Sequence, residues 1–222
     1  MIKAVVFDLD NTVYDYNQCN KIAMDKLQNT ICNKYSISAE EFEKRYEYSK
    51  KSVKNQLGNT GASHNRLLYL QNFLEELDRL PVYECMELYD TYWDCMLQHM
   101  ILYPYVIPLI SKLKENNIRI GVLTDLTAHI QHRKIRRLGL DKYIEKIVTS
   151  EEAGAEKPSE RAFVLIKKKL NLGTSEILMI GDSMEKDVEG AIKAGMHGLL
   201  FKPKYSDNMT DVCMEYIYGR ID

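Results

Sequence analysis

The sequence predicts an α/β protein, a Rossmann-like, doubly wound parallel sheet interrupted by an inserted α-helical segment. From Ile118 to Phe201, strand-like apolar runs alternate with helical periodicities, and this order implies a parallel sheet covered by helices. A further apolar run opens the chain and ends at Phe7. Between Asp15 and about His99, by contrast, there is almost no strand signal, only several amphipathic helical patterns. The expected division is therefore a core of residues 1–15 and 99–222 and a helical insertion of residues 16–98.

The first strand runs into Phe7-Asp8-Leu9-Asp10-Asn11-Thr12. Side chains alternate along a strand, so an extended chain turns Asp8 and Asp10 the same way, within reach of one Mg²⁺ and one phosphate. The insertion breaks near Tyr35-Ser36-Ile37-Ser38, Gly58-Asn59-Thr60-Gly61 and Leu80-Pro81. It must leave and rejoin the sheet domain by two crossings, near Val13 to Tyr16 and near Gln98 to Pro104, which favours hinge closure over free tumbling.

Ile118 to Leu123 then leads into Thr124-Asp125 at the start of a helical pattern, where a hydroxyl and backbone N–H groups suit phosphate oxygens. After the short strand Ile144 to Thr149, Pro158-Ser159 marks a helix start with Lys157 just ahead of it, placed to neutralise phosphate charge. That helix is expected to bury Phe163, Ile166 and Leu170. Ile177 to Ile180 carries Gly181-Asp182-Ser183 off a fourth run, and Asp187 follows with a helix to Ala194 and a stop at Gly195. Gly181 is expected to let the backbone bend, while Asp182 and Asp187 offer the hard oxygens that Mg²⁺ takes. Taken singly, each motif has a plain structural explanation as a turn, an N-cap or a solvated lysine. In this order they are far more specific, because open parallel sheets bind ligands beyond the carboxyl ends of their strands.

With Asp8-Leu9-Asp10-Asn11-Thr12, Thr124, Lys157-Pro158, and Gly181-Asp182-Ser183 with Asp187, the chain resembles a haloacid dehalogenase-superfamily hydrolase of the type with an inserted helical cap. The resemblance spans Ile2 to about Phe201, strongest from Ile118 onward and weakest between Tyr16 and Gln98. It implies that the insertion is a cap that covers the site and selects substrate. It further implies Asp8 as the nucleophile that forms an aspartyl phosphate, and Asp10 as the acid that protonates the leaving alkoxide and then takes a proton from water. Thr124 is expected to donate to a phosphoryl oxygen and Lys157 to offset charge. Mg²⁺ is expected at Asp8, Asp10 (through its backbone carbonyl) and Asp182, with Asp187 fixing the metal's water shell or orienting Lys157. Asn11, Thr124, Asp125 and Lys157 are the expected substrate contacts. The family's dehalogenases lack the second aspartate, because a halide leaves without a proton, so Asp10 argues for phosphate over halide.

Two positions depart from the family pattern. Asp125 stands where relatives carry Asn, and it is expected to turn toward the cap or the metal network; the alternative is a substrate with a nearby donor. Tyr105 stands where a small residue is common and is expected to narrow the hinge. His64 and Arg66, after the glycine-bearing break, are candidates for a polar or anionic group of the substrate, against the plain reading of solvated side chains.

Length and composition set the limits. At 222 residues the chain suits one domain with a sizeable insertion. Its 45% hydrophobic and 28% charged content is that of a globular protein, and a net charge of -2 gives no general attraction to nucleic acid or membrane. The basic runs Arg133-Lys134-Ile135-Arg136-Arg137 and Lys167-Lys168-Lys169 read as solvated helix faces. Five scattered cysteines without metal-ligand spacing point to a reducing cytoplasm, and His129 and His132, three apart on a helical pattern, are not expected to hold a metal. Met1-Ile2-Lys3 opens directly into the first strand, with no leader pattern, and no apolar run approaches the ~20 residues that span a bilayer. The expectation is a cytoplasmic Mg²⁺-dependent phosphatase, monomer or homodimer, acting on small phosphorylated metabolites, with nucleoside monophosphates and sugar phosphates leading. A phosphomutase of the same fold and a non-catalytic phospho-ligand binding module are the rivals.

Overall fold

The apolar run Ala4–Phe7 forms β1, the middle strand of a five-stranded sheet in the order β3-β2-β1-β4-β5, with β2 at Arg119–Thr124, β3 at Lys146–Thr149, β4 at Ile177–Gly181 and β5 at His197–Leu200. Every pairing is parallel. This is a computed structural model, and it describes residues 1–202 and 208–219. Burial follows strand position. All of β1 and β4 is buried, whereas the edge strands β3 and β5 are partly open, as expected of a sheet covered on both faces.

The chain forms two compact units, one of Met1–Asp15 with Ile101–Asp222 and the other of Tyr16–Met100. The first holds the sheet, with α5 (Val106–Glu115), α6 (Ala128–Arg137), α7 (Ser150–Ala153), α8 (Glu160–Leu170), α9 (Gly190–Lys193) and α10 (Met209–Ile217) around it. Phe163, Ile166 and Leu170 of α8 are fully buried and cluster with Val6, Leu123, Val148, Ile177 and Met179 of the sheet. α8 begins just after Pro158-Ser159, and the last helical turns before β5 stop at Gly195, whose φ of +77° suits a residue without Cβ.

The second unit is helical, with α1 (Tyr16–Tyr35), α2 (Ala39–Leu57), α3 (Arg66–Glu75) and α4 (Pro81–His99). Its breaks follow local chemistry. The Ser38 side chain caps α2 by accepting from the Glu41 N–H, Asn65 caps α3 by accepting from the Leu67 N–H, and Pro81 opens α4, where a missing N–H costs nothing. Among the described residues no helix is long and apolar enough to cross a membrane.

One sequence expectation fails here. Lys134 is not on a solvated face: its side chain has 0% exposure. It falls four residues after Ile130 and four before Leu138, both buried, so the helical period places it on the inner face of α6. Tyr105 is buried, its hydroxyl donating to the Thr12 carbonyl at 2.5 Å while its ring stacks on Phe201.

Candidate active site

Parallel pairing in register brings the ends of β1, β2 and β4 to one edge of the sheet: Phe7 pairs with Val122 and with Ile180, so Asp8, Thr124 and Asp182 follow from neighbouring strand ends. The Asp8 N–H still donates to the Ile180 carbonyl at 2.9 Å, so its backbone is fixed by the sheet itself. Its side chain is 8% exposed. Oδ1 accepts from Lys157 Nζ at 2.7 Å and Oδ2 accepts from the Thr12 hydroxyl at 3.3 Å.

Lys157 Nζ also donates to Asp187 Oδ1 at 2.6 Å and to the Leu123 carbonyl at 3.2 Å, so one ammonium joins the ends of β1 and β2 to the helical turn after β4. Burial works to lower its pKa, yet Asp8, Asp187 and Asp125 together hold it above the ordinary lysine range. Burial first, then the charges of Asp187 and Asp10, push the Asp8 carboxyl up to about 8 against the opposing pull of Lys157. Burial, followed by the charge of Asp187, also raises Asp182. Negative charge is thus under-compensated at this edge. The carboxylates of Asp8, Asp182 and Asp187 have oxygens within 4.8 Å of one another, a donor set of hard oxygens that fits a divalent cation.

The approach of Asp187 explains Gly181 differently from a sharp bend. A Cβ on Gly181 would lie 2.2 Å from Asp187 Cγ and Oδ2, so glycine makes room for the acid. Asp187 sits on the wide helical turn Met184–Glu189, and its Oδ2 accepts from the Ser183 N–H at 3.0 Å.

Asp10 lies past the strand end, where Asn11 takes a left-handed φ of +61°. Lys134 Nζ donates to both Asp10 oxygens at 2.8 Å, and the Tyr14 hydroxyl donates to Oδ1 at 2.5 Å. Thr124 is buried, and its Oγ1 accepts from Gln131 Nε2 at 2.6 Å. Its own proton reaches the Asp125 carbonyl at 3.4 Å, beyond the normal O–H···O range and easily given up to a better acceptor. The Asp125 carboxylate accepts from the Lys157 N–H and from Lys186 Nζ, each at 3.0 Å, which ties the loops carrying Thr124, Lys157 and Asp182 together.

Sequence reasoning singled out Asp8, Asp10, Asn11, Thr124, Asp125, Lys157, Asp182 and Asp187, and all lie in this one unit at this end of the sheet. It missed Lys134, Gln131, Tyr14 and Lys186. For Lys134 and Gln131 a signal existed, since both fall on the apolar face of α6; for Tyr14 and Lys186 there was none. His129 and His132 are exposed. Arg66 belongs to the helical unit and is not solvated: it is 9% exposed, donates to the Tyr16 hydroxyl at 2.8 Å and to Asn20 Oδ1 at 2.9 Å, and lies 4.2 Å from the Tyr92 ring centre.

Comparison with known proteins gives one consistent picture. A family model described as haloacid dehalogenase-like hydrolase matches residues 2–195. The chain is 37% identical over 216 residues to a ribulose-1,5-bisphosphate 5-phosphatase of Halopiger xanaduensis, covering 95% of this chain and 89% of that one. It is 30% identical to a glyceraldehyde 3-phosphate phosphatase of Methanopyrus kandleri over 93% of this chain and 87% of that one. Among solved structures, a phosphatase from Thermococcus onnurineus superimposes with a TM-score of 0.70 at 25% identity, covering 90% of this chain and 86% of that one.

Proposed function

Because the chain belongs to the haloacid dehalogenase-like hydrolase family and is an enzyme of it, we propose that it is a Mg²⁺-dependent phosphatase that releases phosphate from small phosphorylated carbohydrates through an aspartyl phosphate. The observation that carries this reading is the buried Asp8–Lys157–Asp187 array, with bonds of 2.7 and 2.6 Å, beside a second carboxylate at Asp10. The names of these two relatives, each at least 30% identical to the chain, support sugar phosphates over nucleoside monophosphates.

A carboxylate attacks a phosphate only where the repulsion between anions is offset. In the first half-reaction Asp8 forms a bond to phosphorus, the ester P–O bond breaks, and the departing oxygen takes a proton from Asp10. In the second, water gives its proton to Asp10 and forms a new P–O bond as the bond from Asp8 to phosphorus breaks. Lys157 holds positive charge against Asp8 throughout, and Thr124, its hydroxyl oxygen already engaged by Gln131, turns its proton to a phosphoryl oxygen.

Mg²⁺ would be held by Asp8 and Asp182, with the Asp10 carbonyl, and would supply further positive charge to the transferring group. Asp187 has both oxygens committed, one to Lys157 and one to the Ser183 N–H, which supports the role of orienting Lys157. The Asp125 carboxylate, tied to Lys157 and Lys186, supports a bracing role over direct substrate contact. Five scattered cysteines without metal-ligand spacing support a reducing, cytoplasmic setting.

The test is phosphate release from a panel of sugar phosphates, nucleoside monophosphates and 4-nitrophenyl phosphate, with and without Mg²⁺, beside Asp8→Asn. Metal-dependent release that the substitution lowers by at least ~10³-fold is expected, with the carbohydrate esters leading. Release that survives the substitution, or transfer to a second hydroxyl without free phosphate, would sink the proposal.

A further inference from the structure

We propose that Lys134 and Tyr14 are positioning residues for Asp10, holding its carboxylate so that Oδ2 is the oxygen that exchanges protons in both half-reactions. The inference rests on the acid–base reading of Asp10 given above and adds the residues that make it work. Lys134 has no solvent exposure, and its Nζ reaches both Asp10 oxygens at 2.8 Å. Tyr14 is also fully buried, and its hydroxyl donates to Oδ1 at 2.5 Å.

A carboxylate offers about four lone-pair directions. Oδ1 takes two donors and Oδ2 takes one, so among the described residues the uncommitted direction lies on Oδ2. A proton carried there leaves all three bonds intact, because Oδ2 still has a lone pair for Lys134. Asp10 therefore does not need to leave its partners in order to act.

The frame that delivers the two donors is tied by backbone hydrogen bonds. Tyr14 forms a parallel bridge with Asp10 and an antiparallel bridge with Leu102, and the Tyr103 N–H donates to the Val13 carbonyl at 2.9 Å. Lys134 comes from the inner face of α6, the helix whose Gln131, one turn earlier, holds the Thr124 hydroxyl. One helix face thereby sets both the phosphate-facing hydroxyl and the proton-carrying carboxylate. Three bonds from two buried groups leave the short Asp10 side chain a single orientation, which is the condition for efficient proton transfer.

The test uses stopped-flow release of 4-nitrophenolate from 4-nitrophenyl phosphate with Mg²⁺, comparing the wild type with Asp10→Asn, Lys134→Met and Tyr14→Phe. This leaving group departs with little need of a proton, so the first half-reaction is insensitive to Asp10 while hydrolysis of the intermediate is not. Asp10→Asn is expected to give a near-wild-type burst of one equivalent per site and then turnover slowed by roughly 10²- to 10⁴-fold. Lys134→Met is expected to show the same pattern with slowing of about 10- to 100-fold, and Tyr14→Phe, which removes one hydroxyl and leaves the fold, a slowing of a few-fold. A merely structural role would lower burst rate and turnover together. If both Lys134→Met and Tyr14→Phe do that, or change neither, while Asp10→Asn bursts and stalls, the positioning role is overturned and the acid–base reading stands. If Asp10→Asn itself fails to burst and stall, the acid–base reading falls and this inference goes with it.

Discussion

The two units of the chain bury positive charge in opposite ways. In the sheet unit, Lys134 and Lys157 are withdrawn from solvent against carboxylates, Asp10 for the one and Asp8 with Asp187 for the other. In the helical unit, Arg66 is withdrawn against neutral acceptors, the Tyr16 hydroxyl and Asn20 Oδ1, and against the faces of Tyr92 and Trp93. Its Nε and the Tyr46 hydroxyl have no hydrogen-bond partner among the described residues. The first arrangement concentrates charge and leaves carboxylates that a cation or a proton can still satisfy. The second spreads charge over polarizable rings and fixes a helical core. Paired charge gathers at the candidate site, and dispersed charge marks architecture.

The comparison breaks most visibly where one partner of a buried pair is removed. Asp10→Ala should lower stability by about 3–5 kcal/mol, because it strands the Lys134 ammonium in the interior, and adding Lys134→Met should recover most of the loss. Urea denaturation of the two single variants and the double variant measures this; a neutral Asp10→Ala would mean that water already screens Lys134. Gly181→Ala comes next, at about 1–3 kcal/mol, because its Cβ falls 2.2 Å from Asp187. It should also reduce turnover, since Asp187 must withdraw from Lys157.

In the helical unit Arg66→Lys keeps the charge but loses the planar contact with Tyr92, and a loss of about 1–2 kcal/mol in thermal unfolding is expected. A loss as large as that of Asp10→Ala would erase the contrast between the units. The baseline is the exposed pair Lys21–Asp25, with side chains 77% and 56% open, where Lys21→Ala should change stability by no more than ~0.5 kcal/mol.

Much of the site is legible in the order of residues alone. Asp8, Thr124 and Asp182 stand out because each follows an apolar run, and a parallel sheet gathers its strand ends at one edge. Lys157 stands out from its place ahead of a helix start. Lys134 is misread because a lysine inside a basic run resembles a solvated face, although its spacing from Ile130 and Leu138 already puts it inward. Tyr14 and Lys186 carry no such pattern. Their partners, Asp10 and Asp125, are met through turns and through pairings across 61 residues in the case of Lys186.

Periodicity, caps and turn residues act over a few positions, and they are enough to set the order of strands and helices, the helical character of the insertion and the residues at the strand ends. Which ammonium meets which carboxylate, why Gly181 must admit Asp187, and how Asp125 braces the loops depend instead on packing between distant elements. The Lys134–Asp10 pair spans 124 residues, and a bond across that distance is set by how α6 lies against the sheet, which no local pattern encodes.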